Sequence, residues 1–339
     1  MRSPVITASA MGLTRNESGR RFPHAEDPAA LEEVRAEVVE ALAGPGWERE
    51  WGVHDLDSLS TVQIDYFVEK GLMTPGFAEG SNVGRGFAVY GENEASLEIN
   101  GGDHLRLLGF RSGGQLAMLW ALLNHLDDRL ETVFSYAFDP RWGYLTAQPR
   151  QAGSGMRAYA TLHLPALGLT GRLAGTALEL AHQGLGLVPL WGGAGGIVQV
   201  SNMHSDGRPE PDTLQQIGDV CRGIVEKERS VRKMLVRENP IQSRDQIGRA
   251  LGVAQQAWVM SFPEAVNLIS AATVGIELGL VDAPGLEAES AFGLMSRLQP
   301  AHIVVDYMSG KTDCVESPEV DERRALVLRG VFAGASVRV

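Results

Sequence analysis

Cysteine is scarce in this sequence, and long apolar runs are missing from it. Only Cys221 and Cys314 occur among 339 residues, which excludes a disulfide scaffold and a cysteine-rich zinc site. Two unpaired thiols are typical of a reducing cytosol. No stretch reaches the roughly 18 apolar residues of a membrane span, and residues 1–22 contain no apolar segment of the secretory type. We therefore expect a cytoplasmic protein that does not enter a membrane.

Basic residues are fewer than acidic ones. The 30 Lys and Arg residues against 42 Asp and Glu residues give a formal net charge of −12. This balance argues against a protein that binds nucleic acid or an anionic membrane surface, because both partners need positive charge on the protein. Apolar residues make up 44% of the sequence and charged residues 21%, which is typical of a globular protein with a sizeable core. The length favours about two domains.

The spacing of apolar residues changes character near Pro240. Before it, the pattern predicts strands mixed with amphipathic helices, and after it the spacing is helical throughout. Strands are predicted at 5–10, 87–90, 96–99, 105–110, 144–146, 156–164 and 196–201, and helices at 28–43, 57–70, 115–130, 173–183, 212–236, 243–251, 262–278 and 287–298. We expect an α+β domain at 4–238, followed by an all-helical domain at 240–339 that forms dimers.

Three short motifs follow one another in the first domain. They are NGGDHLR at 100–106, GYLTAQP at 143–149 and GSGMRA at 153–158. Their order and spacing resemble the ATP:guanidino phosphotransferases, the family of creatine and arginine kinases. Further segments resemble the branch of bacterial protein arginine kinases, namely LHLPAL at 162–167, QVSN at 199–202, RALGVAQQAWVMSFPEAVNLIS at 249–270, GIELGLV at 275–281 and QPAH at 299–302. The resemblance covers nearly the whole chain from about Val5.

The resemblance implies a fold, a reaction and a cofactor. The fold is an antiparallel sheet flanked by helices, and the reaction transfers the γ-phosphoryl group of MgATP to arginine side chains of proteins. Such a transfer needs positioning and charge neutralisation more than covalent chemistry. In the family, arginines bind the phosphates through charge-assisted hydrogen bonds. A carboxylate orients the guanidinium group and accepts its proton, and a cysteine lies beside it.

This sequence lacks several of the side chains that the reaction uses. The two glutamates of the family motif NEEDHLR correspond to Gly101 and Gly102, and the family's cysteine corresponds to Gln148. The first two arginines of the family's SSRIR segment correspond to Ala10 and Gly12. We therefore predict no catalytic residue at these positions.

The phosphate-binding and adenine-binding positions also lack the side chains that the family has there. The family's RGxxGE loop corresponds to VPLWGGAGG at 188–196, which contains neither arginine nor glutamate, and the branch's adenine-pocket histidine corresponds to Gly71. Only Arg106 and Arg157 remain of the phosphate-binding arginines. They are the candidate cofactor-binding residues, and no metal site is predicted.

These losses predict a family member that has kept the fold and lost phosphotransfer. Loss of a general base alone typically lowers a rate by about 10²–10⁴. We expect no cofactor in that case, or MgATP if nucleotide binding persists. The alternative is an active ATP-dependent kinase with a rebuilt site that uses Arg106, Arg157 and Asp103. A small-molecule role of the vacated cleft is a third alternative.

A second resemblance concerns the C-terminal region. The branch carries a phosphoarginine-receptor motif, RDxxRA, and this chain has VDERRA at 320–325. Asp321 and Arg324 match and are the candidate phosphoarginine-binding residues, while Val320 replaces the first arginine. The expected partners are a second copy of the chain, a related arginine kinase, or arginine-phosphorylated proteins, and neither nucleic acid nor a membrane.

Each candidate also has a structural interpretation. Arg106 and Arg157 can be ordinary ion-pair residues, and Asp321 with Arg324 can form a salt bridge three residues apart on a helix. His104, without metal-ligand spacing around it, is predicted to be a hydrogen-bonded structural histidine. The stretch at 184–196 lacks the lysine of a phosphate-binding loop, which favours a flexible or shortened connection. Asp127 and Asp128 are predicted on the solvated face of a helix, and both cysteines are expected to be unreactive.

Overall fold

Eight β-strands of the N-terminal two thirds of the chain form one sheet, and two short strands of this region pair separately. The structure is a computed structural model that describes residues 5–205, 207–288, 290–309, 312 and 314–338. The strands are β1 Ile6–Arg15, β2 Trp51–His54, β3 Gly86–Tyr90, β4 Ala95–Ile99, β5 Leu105–Ser112, β6 Phe138–Asp139, β7 Gly143–Tyr144, β8 Met156–His163, β9 Leu185–Pro189, β10 Ile197–Asn202, β11 Val281–Asp282 and β12 Ser336–Val337. The sheet order is β2-β3-β4-β5-β1-β8-β10-β9. Antiparallel pairing sets Trp51 opposite Tyr90, Ala88 opposite Leu97, and Glu98 opposite Arg106.

Helices flank the sheet and make up most of the C-terminal third. They are α1 Pro28–Ala43, α2 Thr61–Glu69, α3 Pro75–Ala78, α4 Leu116–Glu131, α5 Pro165–Leu169, α6 Leu173–Ala181, α7 Glu210–Glu238, α8 Pro240–Gln256, α9 Phe262–Glu277, α10 Pro284–Glu287, α11 Ala291–Arg297, α12 Pro300–His302 and α13 Pro318–Phe332. The predicted fold class, an antiparallel sheet flanked by helices with a helical C-terminal region, is confirmed.

Element positions agree with the apolar spacing where that spacing is strong. The strands predicted at 87–90, 96–99 and 105–110 and the helices predicted at 115–130 and 212–236 lie within two residues of the observed bounds. The helix predicted at 287–298 is instead two short helices, α10 and α11. The region after Pro240 also contains a two-stranded antiparallel ladder, β11 with β12, which the helical spacing did not predict.

Local sequence explains where the first two helices begin. Asp27 occupies the N-cap of α1 and Pro28 its first turn, as predicted, although the Asp27 side chain makes no capping hydrogen bond. Helix α2 begins at Thr61 rather than near Asp57, because Ser60 and Gln63 form a reciprocal capping box.

The chain divides into two compact units. The N-terminal unit comprises Ser9–Tyr159 and Ser201–Ile217. One part of its core is a cluster contributed by α3, the segments around α2, and β3, with Leu56, Leu72, Met73, Phe77, Phe87 and Val89 buried. Helix α4 packs tightly on β5, because a Cβ atom added to Gly109 would lie 2.6 Å from Leu119 Cδ1.

A buried ion pair lies inside the N-terminal unit. Arg15, 2% exposed, donates to Asp127 Oδ2 from Nη2 at 2.6 Å, and the Tyr136 hydroxyl donates to Asp127 Oδ1 at 3.1 Å. Burial raises the pKa of Asp127, and the Arg15 cation opposes that shift. The prediction of a solvated Asp127 is therefore wrong, because its partner is 112 residues away in sequence, whereas Asp128 is exposed as predicted.

The second glycine of the GSGMRA motif makes room for this arginine. Gly155 has φ +64°, and a Cβ atom there would lie 2.6 Å from Arg15 Nη1 and 2.5 Å from the Thr14 carbonyl oxygen. The Arg15 guanidinium group also lies 3.7 Å from the centroid of the Tyr144 ring. Only glycine fits this position without a shift of the backbone or of Arg15.

The C-terminal unit comprises the described residues of Met1–Ala8, Ala160–Val200 and Gly218–Val339. Its centre contains Arg232, which is 2% exposed and donates to Glu228 Oε1 at 2.7 Å and to the His163 carbonyl oxygen at 2.7 Å. Glu277 is a further ion-pair partner of Arg232. Buried charges of this kind persist because each one is paired and hydrogen-bonded.

No helix within the described residues is long and apolar enough to cross a lipid bilayer.

Candidate functional site

The turn between β4 and β5 carries the NGGDHLR motif in the N-terminal unit. Asn100 has φ +54° and donates from Nδ2 to the carbonyl oxygens of Leu31 and Gly84 at 2.8 and 2.6 Å. Asp103 Oδ1 accepts from Asn16 Nδ2 at 2.7 Å and from the Ala147 amide at 2.6 Å. The Asp103 carboxylate therefore connects this turn to the GYLTAQP segment.

Phe77 fills the space next to the first substituted carboxylate position. A Cβ atom added to Gly101 would lie 3.1 Å from Phe77 Cδ2, and Phe77 is 5% exposed. A Cβ atom added to Gly102 would meet nothing within 4 Å. The turn therefore presents only backbone at both positions, and one of them is bounded by an aromatic ring.

Arg106 and Gln148 come together through a residue that the motif did not single out. Arg106 Nη2 donates to Gln151 Oε1 at 3.3 Å, and Gln151 Nε2 donates to Gln148 Oε1 at 2.9 Å. Gln151 is 7% exposed. Its position in the Pro149–Gln151 turn, three residues after Gln148, is the only sequence signal that pointed to it.

The second substituted arginine position lies beside Arg106. A Cβ atom added to Gly12 would lie 3.8 Å from Arg106 Nε and 3.2 Å from Leu108 Cδ2. Arg106 is half-buried, and its Nε has no hydrogen-bond partner within the described residues. The structure thus places position 12 and position 148 around Arg106, and anion binding by this group stays a prediction.

Arg157 lies on β8 and is half-buried. Its guanidinium carbon is 5.6 Å from the centroid of the Tyr159 ring, and its buried Nε is without a hydrogen-bond partner in the part of the chain that is described. Its contacts differ from those of Arg106, which is bonded to Gln151. Neither arginine makes an ion pair among the described residues, although the Arg106 charge acts on Glu98, and residual anion binding at the two arginines stays a prediction.

Glu98 is a buried carboxylate that the sequence reasoning missed. It is 2% exposed, lies opposite Arg106 in the β4–β5 register, and accepts a hydrogen bond from the Thr74 amide at 2.5 Å. Burial raises the pKa of Glu98, and the Thr74 hydrogen bond and the Arg106 and Arg85 charges oppose that shift. Glu98 alternates with Leu97 and Ile99 in β4, a pattern that does not by itself reveal its burial, and the segment between α2 and α3 contacts it through the Thr74 amide.

His104 has the contacts of a structural histidine. It is 1% exposed, its amide donates to Asn16 Oδ1 at 2.9 Å, and its Nδ1 accepts from the Glu17 amide at 3.3 Å. Burial is the main cause that lowers the pKa of His104. Gly71, at the adenine-pocket position, has φ +71° and lies beside the Phe110 ring.

The glycine-rich stretch forms a short turn inside the C-terminal unit. Gly195 donates from its amide to Asn267 Oδ1 at 2.7 Å, and its carbonyl oxygen accepts from Ser270 Oγ at 2.9 Å. Trp191 Nε1 donates to Gln299 Oε1 at 3.1 Å and its ring stacks on Phe292. These bonds hold a compact connection, and the turn presents no cationic side chain; that the connection is shortened stays a prediction.

The predicted phosphoarginine-binding residues lie on α13. Arg324 is 1% exposed and donates to the carbonyl oxygens of Leu298 and Met260 at 2.7 and 2.8 Å, in addition to its ion pair with Asp321. Val320 is fully buried. These contacts favour the salt-bridge interpretation, and phosphoarginine binding at this pair stays a prediction.

The two thiols belong to the C-terminal unit, whereas the residues around Arg106 belong to the N-terminal unit. Cys221 on α7 is 1% exposed, and burial raises its pKa to about 12, whereas Cys314 is exposed and free. Among the described residues, no three His, Cys, Asp or Glu side chains are grouped to hold a metal ion. A thiol with so high a pKa is a poor nucleophile near neutral pH.

Comparison with known proteins identifies the family. The model of the ATP:guanido phosphotransferase C-terminal catalytic domain matches residues 33–231, and the model of the protein-arginine kinase McsB C-terminal domain matches residues 240–338. A protein-arginine kinase of Moorella thermoacetica is 34% identical over 339 residues, covering 97% of this chain and 94% of that protein. A protein-arginine kinase of Halothermothrix orenii is 31% identical over 303 residues, covering 88% of this chain and 86% of that protein.

Solved structures share the fold at lower identity. Lombricine kinase matches with a TM-score of 0.58 and 17% identity, over 67% of this chain and 66% of that one. The duplicated taurocyamine kinase of Schistosoma mansoni matches with a TM-score of 0.61 and 20% identity, over 76% of this chain and 37% of that one. The division predicted at 239–240 stays a prediction, although one family match ends at 231 and the other begins at 240. The chain belongs to the ATP:guanido phosphotransferase family, in its protein-arginine kinase branch.

Proposed function

We propose that this chain is a protein-arginine kinase-like protein that acts through binding rather than through phosphotransfer. The observation that carries the proposal is the pair of glycines at the carboxylate positions, with Phe77 against Gly101. A guanidinium acceptor needs a carboxylate to orient it and to take its proton. The neighbouring Asp103 oxygen already accepts two hydrogen bonds within the protein.

The group of residues around Arg106 supports the same proposal. Positions 10 and 12 carry Ala10 and Gly12, so the group around Arg106 has lost two cations. Each charge-assisted hydrogen bond to a phosphate contributes roughly 1.5–3 kcal/mol. The arginine of the glycine-rich turn is absent as well. Three missing arginines therefore lower the free energy of phosphate binding by on the order of 5 kcal/mol, at the same contribution for each hydrogen bond. MgATP is therefore expected to bind weakly.

A binding role requires a partner. We propose that the chain associates in the cytoplasm with a second copy of itself or with a related active arginine kinase, through the helical region after Pro240. Arginine-phosphorylated proteins are the other proposed partners, with Asp321 facing the guanidinium group of the modified residue.

An active kinase with a rebuilt site is the second candidate, and one observation favours it. The relatives in the comparison, 29–34% identical to this chain over most of its length, carry the name protein-arginine kinase, which supports activity more than its loss. In this candidate, Arg106 and Arg157 bind the phosphates of MgATP and Asp103 takes the place of the missing glutamates.

Phosphotransfer and nucleotide binding are measured together to separate the candidates. The full chain is incubated with MgATP labelled at the γ-phosphate and an arginine-rich protein acceptor, and MgATP is titrated by calorimetry. We expect no acid-labile label on arginine and no heat at millimolar nucleotide. Label and heat that both disappear in an Arg106→Ala/Arg157→Ala variant would overturn the proposal in favour of the active kinase.

Association is tested separately. The chain is mixed with an active arginine kinase and with a phosphoarginine-bearing protein, and complexes are measured by light scattering after size exclusion. A complex, or a dimer of the chain alone, is the expected result. A monomer that binds neither partner would contradict the binding role even if phosphotransfer is absent.

A further inference from the structure

A cavity of about 600 Å³ lies entirely within the C-terminal unit. Its walls come from α5, the end of α7, α8, α9 and the glycine-rich turn. This volume is in the range of small-molecule sites, which occupy roughly 300–1,000 Å³. No residue of the candidate site around Arg106 lines it.

The cavity offers no free charge to a ligand. None of its lining residues is acidic, and Arg232 is the one lining residue that carries a charge. That guanidinium group is occupied by Glu228, by Glu277 and by the His163 carbonyl oxygen. A phosphate or carboxylate group in the cavity would find no free counter-ion, which disfavours anionic ligands.

One wall consists of neutral hydrogen-bonding side chains. Asn239, Gln242, Ser243 and Gln246 line the cavity at spacings of three and four residues, so they share one face at the start of α8. Within the described residues their side chains make no hydrogen bonds to the protein, and each carboxamide offers a donor and an acceptor in one plane. Such a wall matches a ligand edge that carries a donor beside an acceptor.

The remaining surface is apolar. Leu235 and Val236 from α7, Ile247 from α8 and Ala271 and Val274 from α9 line the cavity. Burial of an apolar group against such a surface contributes roughly 25 cal/mol for each Å² removed from water. A ligand therefore needs an apolar or flat aromatic body in addition to its polar edge.

We propose that this cavity binds an uncharged small molecule with an apolar body and an amide-like edge. Two sources supply that chemistry, the base of a nucleoside and a neutral amide such as a capped amino acid. The site lies apart from the region around Arg106 and does not depend on whether the chain transfers phosphate.

The cavity also touches the residues that hold the glycine-rich turn. Asn267 and Ser270 line it, and these two side chains bind the amide and the carbonyl oxygen of Gly195. Gly193 and Gly196 of the turn line the cavity as well. A bound ligand is therefore expected to slow amide exchange in the turn.

The proposal is tested by measuring the binding of three probes to the full chain with ligand-observed NMR. The probes are adenosine, N-acetyl-leucinamide and AMP, which adds a phosphate to the adenosine framework. We expect at least one uncharged probe to bind and AMP to bind about tenfold more weakly than adenosine. Failure of both uncharged probes at millimolar concentration, or AMP binding as tightly as adenosine, would overturn the proposal.

Variants locate the binding. Gln242→Ala/Gln246→Ala removes two exposed carboxamides from the wall and is expected to weaken binding by about tenfold or more. Gln256→Ala, an exposed glutamine at the end of the same helix and outside the cavity, is the matched control and leaves binding unchanged. Adenosine binding that survives the wall variant but disappears in Arg106→Ala/Arg157→Ala belongs to the other site and overturns the proposal.

Discussion

The ring of Phe77 bounds the space into which a side chain at position 101 would extend, with Cδ2 only 3.1 Å from an added Cβ atom at Gly101. A glutamate there must displace a buried aromatic ring or rotate away from it. The glycine and the phenylalanine therefore form one packing arrangement, and replacing the glycine alone does not rebuild a carboxylate site.

Restoring the two glutamates tests this relationship. Gly101→Glu is expected to lower the free energy of unfolding by about 1–3 kcal/mol, because it overpacks the space next to Phe77. Gly102→Glu, with open space around it, is expected to change stability by less than about 0.5 kcal/mol. Denaturant unfolding of the two variants makes the comparison. Equal stability of both, together with restored arginine phosphorylation in the double variant, would contradict the packing argument.

The buried Arg15–Asp127 pair is expected to be sensitive to removal of either partner. Asp127→Ala leaves the Arg15 cation buried without its carboxylate, which typically costs about 3–5 kcal/mol. Asp128→Ala, at the exposed neighbouring position, is the matched control and is expected to change stability by less than about 0.5 kcal/mol. Thermal unfolding measures both. Similar melting temperatures for the two variants would show that the pair is not buried as described.

Glu98 is expected to give stability a pH dependence that Glu98→Gln removes. Because burial raises its pKa in the folded state, the folded protein holds this proton at pH values where the unfolded chain has released it. Stability from this group therefore falls as pH rises from the ordinary glutamate pKa through the raised value. The glutamine keeps an acceptor for the Thr74 amide and does not titrate.

Denaturant unfolding from about pH 4 to 7 measures this effect as a difference between Glu98→Gln and the unchanged protein. The variant is expected to gain relative stability as pH rises, with the other titrating groups cancelling in the difference. A difference that is constant over this range, or that changes in the opposite direction, would contradict a raised pKa at Glu98.

Ser270 is expected to control the order of the glycine-rich turn. His163 Nε2 donates to Ser270 Oγ at 2.7 Å, since its Nδ1 faces the Arg232 guanidinium group, and Ser270 Oγ donates to Gly195. Ser270→Ala removes both bonds and is expected to cost about 1–3 kcal/mol and to speed amide exchange at 191–196. Thr273→Ala is the control, since its hydroxyl bonds only to the Ile269 carbonyl oxygen. Equal exchange of the turn in both variants would rule out this anchoring.

Arg324 is expected to stabilise the helical region. Arg324→Ala leaves the carbonyl oxygens of Leu298 and Met260 without their donor and is expected to cost about 2–5 kcal/mol. Arg323→Ala, its exposed neighbour, is the control and should be close to neutral. Chemical unfolding compares them, and near-equal values would contradict the structural role. Asp321→Asn is accordingly the better variant for testing phosphoarginine binding, because the Asp321 side chain is partly exposed.

The long helices and the neighbouring strands were predictable from sequence because their buried apolar residues recur at regular spacing. Helix α4 buries Leu119, Leu123, Leu126 and Leu130 at helical spacing, and the strands β3 to β5 form a meander of neighbouring strands. The short elements α3, β2 and β9 were missed, and α3 and β2 span only four residues, which leaves little period to detect. The family motifs located Arg106, Gly101, Gly102 and Gln148, but only the folded chain brings Gln151 between two of them.

The remaining differences come from contacts between distant parts of the chain. Asp127 is paired with Arg15, and Glu98 is covered by the segment that carries Thr74. Local spacing cannot reveal that a polar residue is buried when its partner lies elsewhere in the sequence.

Gly155 shows that part of a family motif can be required by packing alone. Its absent side chain leaves room for the guanidinium group of Arg15, and any larger residue would collide with that group or with the Thr14 carbonyl oxygen. A match at this glycine therefore indicates that the chain has room for the buried Arg15, and it carries no information about catalysis. Searches that count such matches therefore count a packing requirement, whereas positions 101, 102 and 148 are those at which this chain differs from the family motifs.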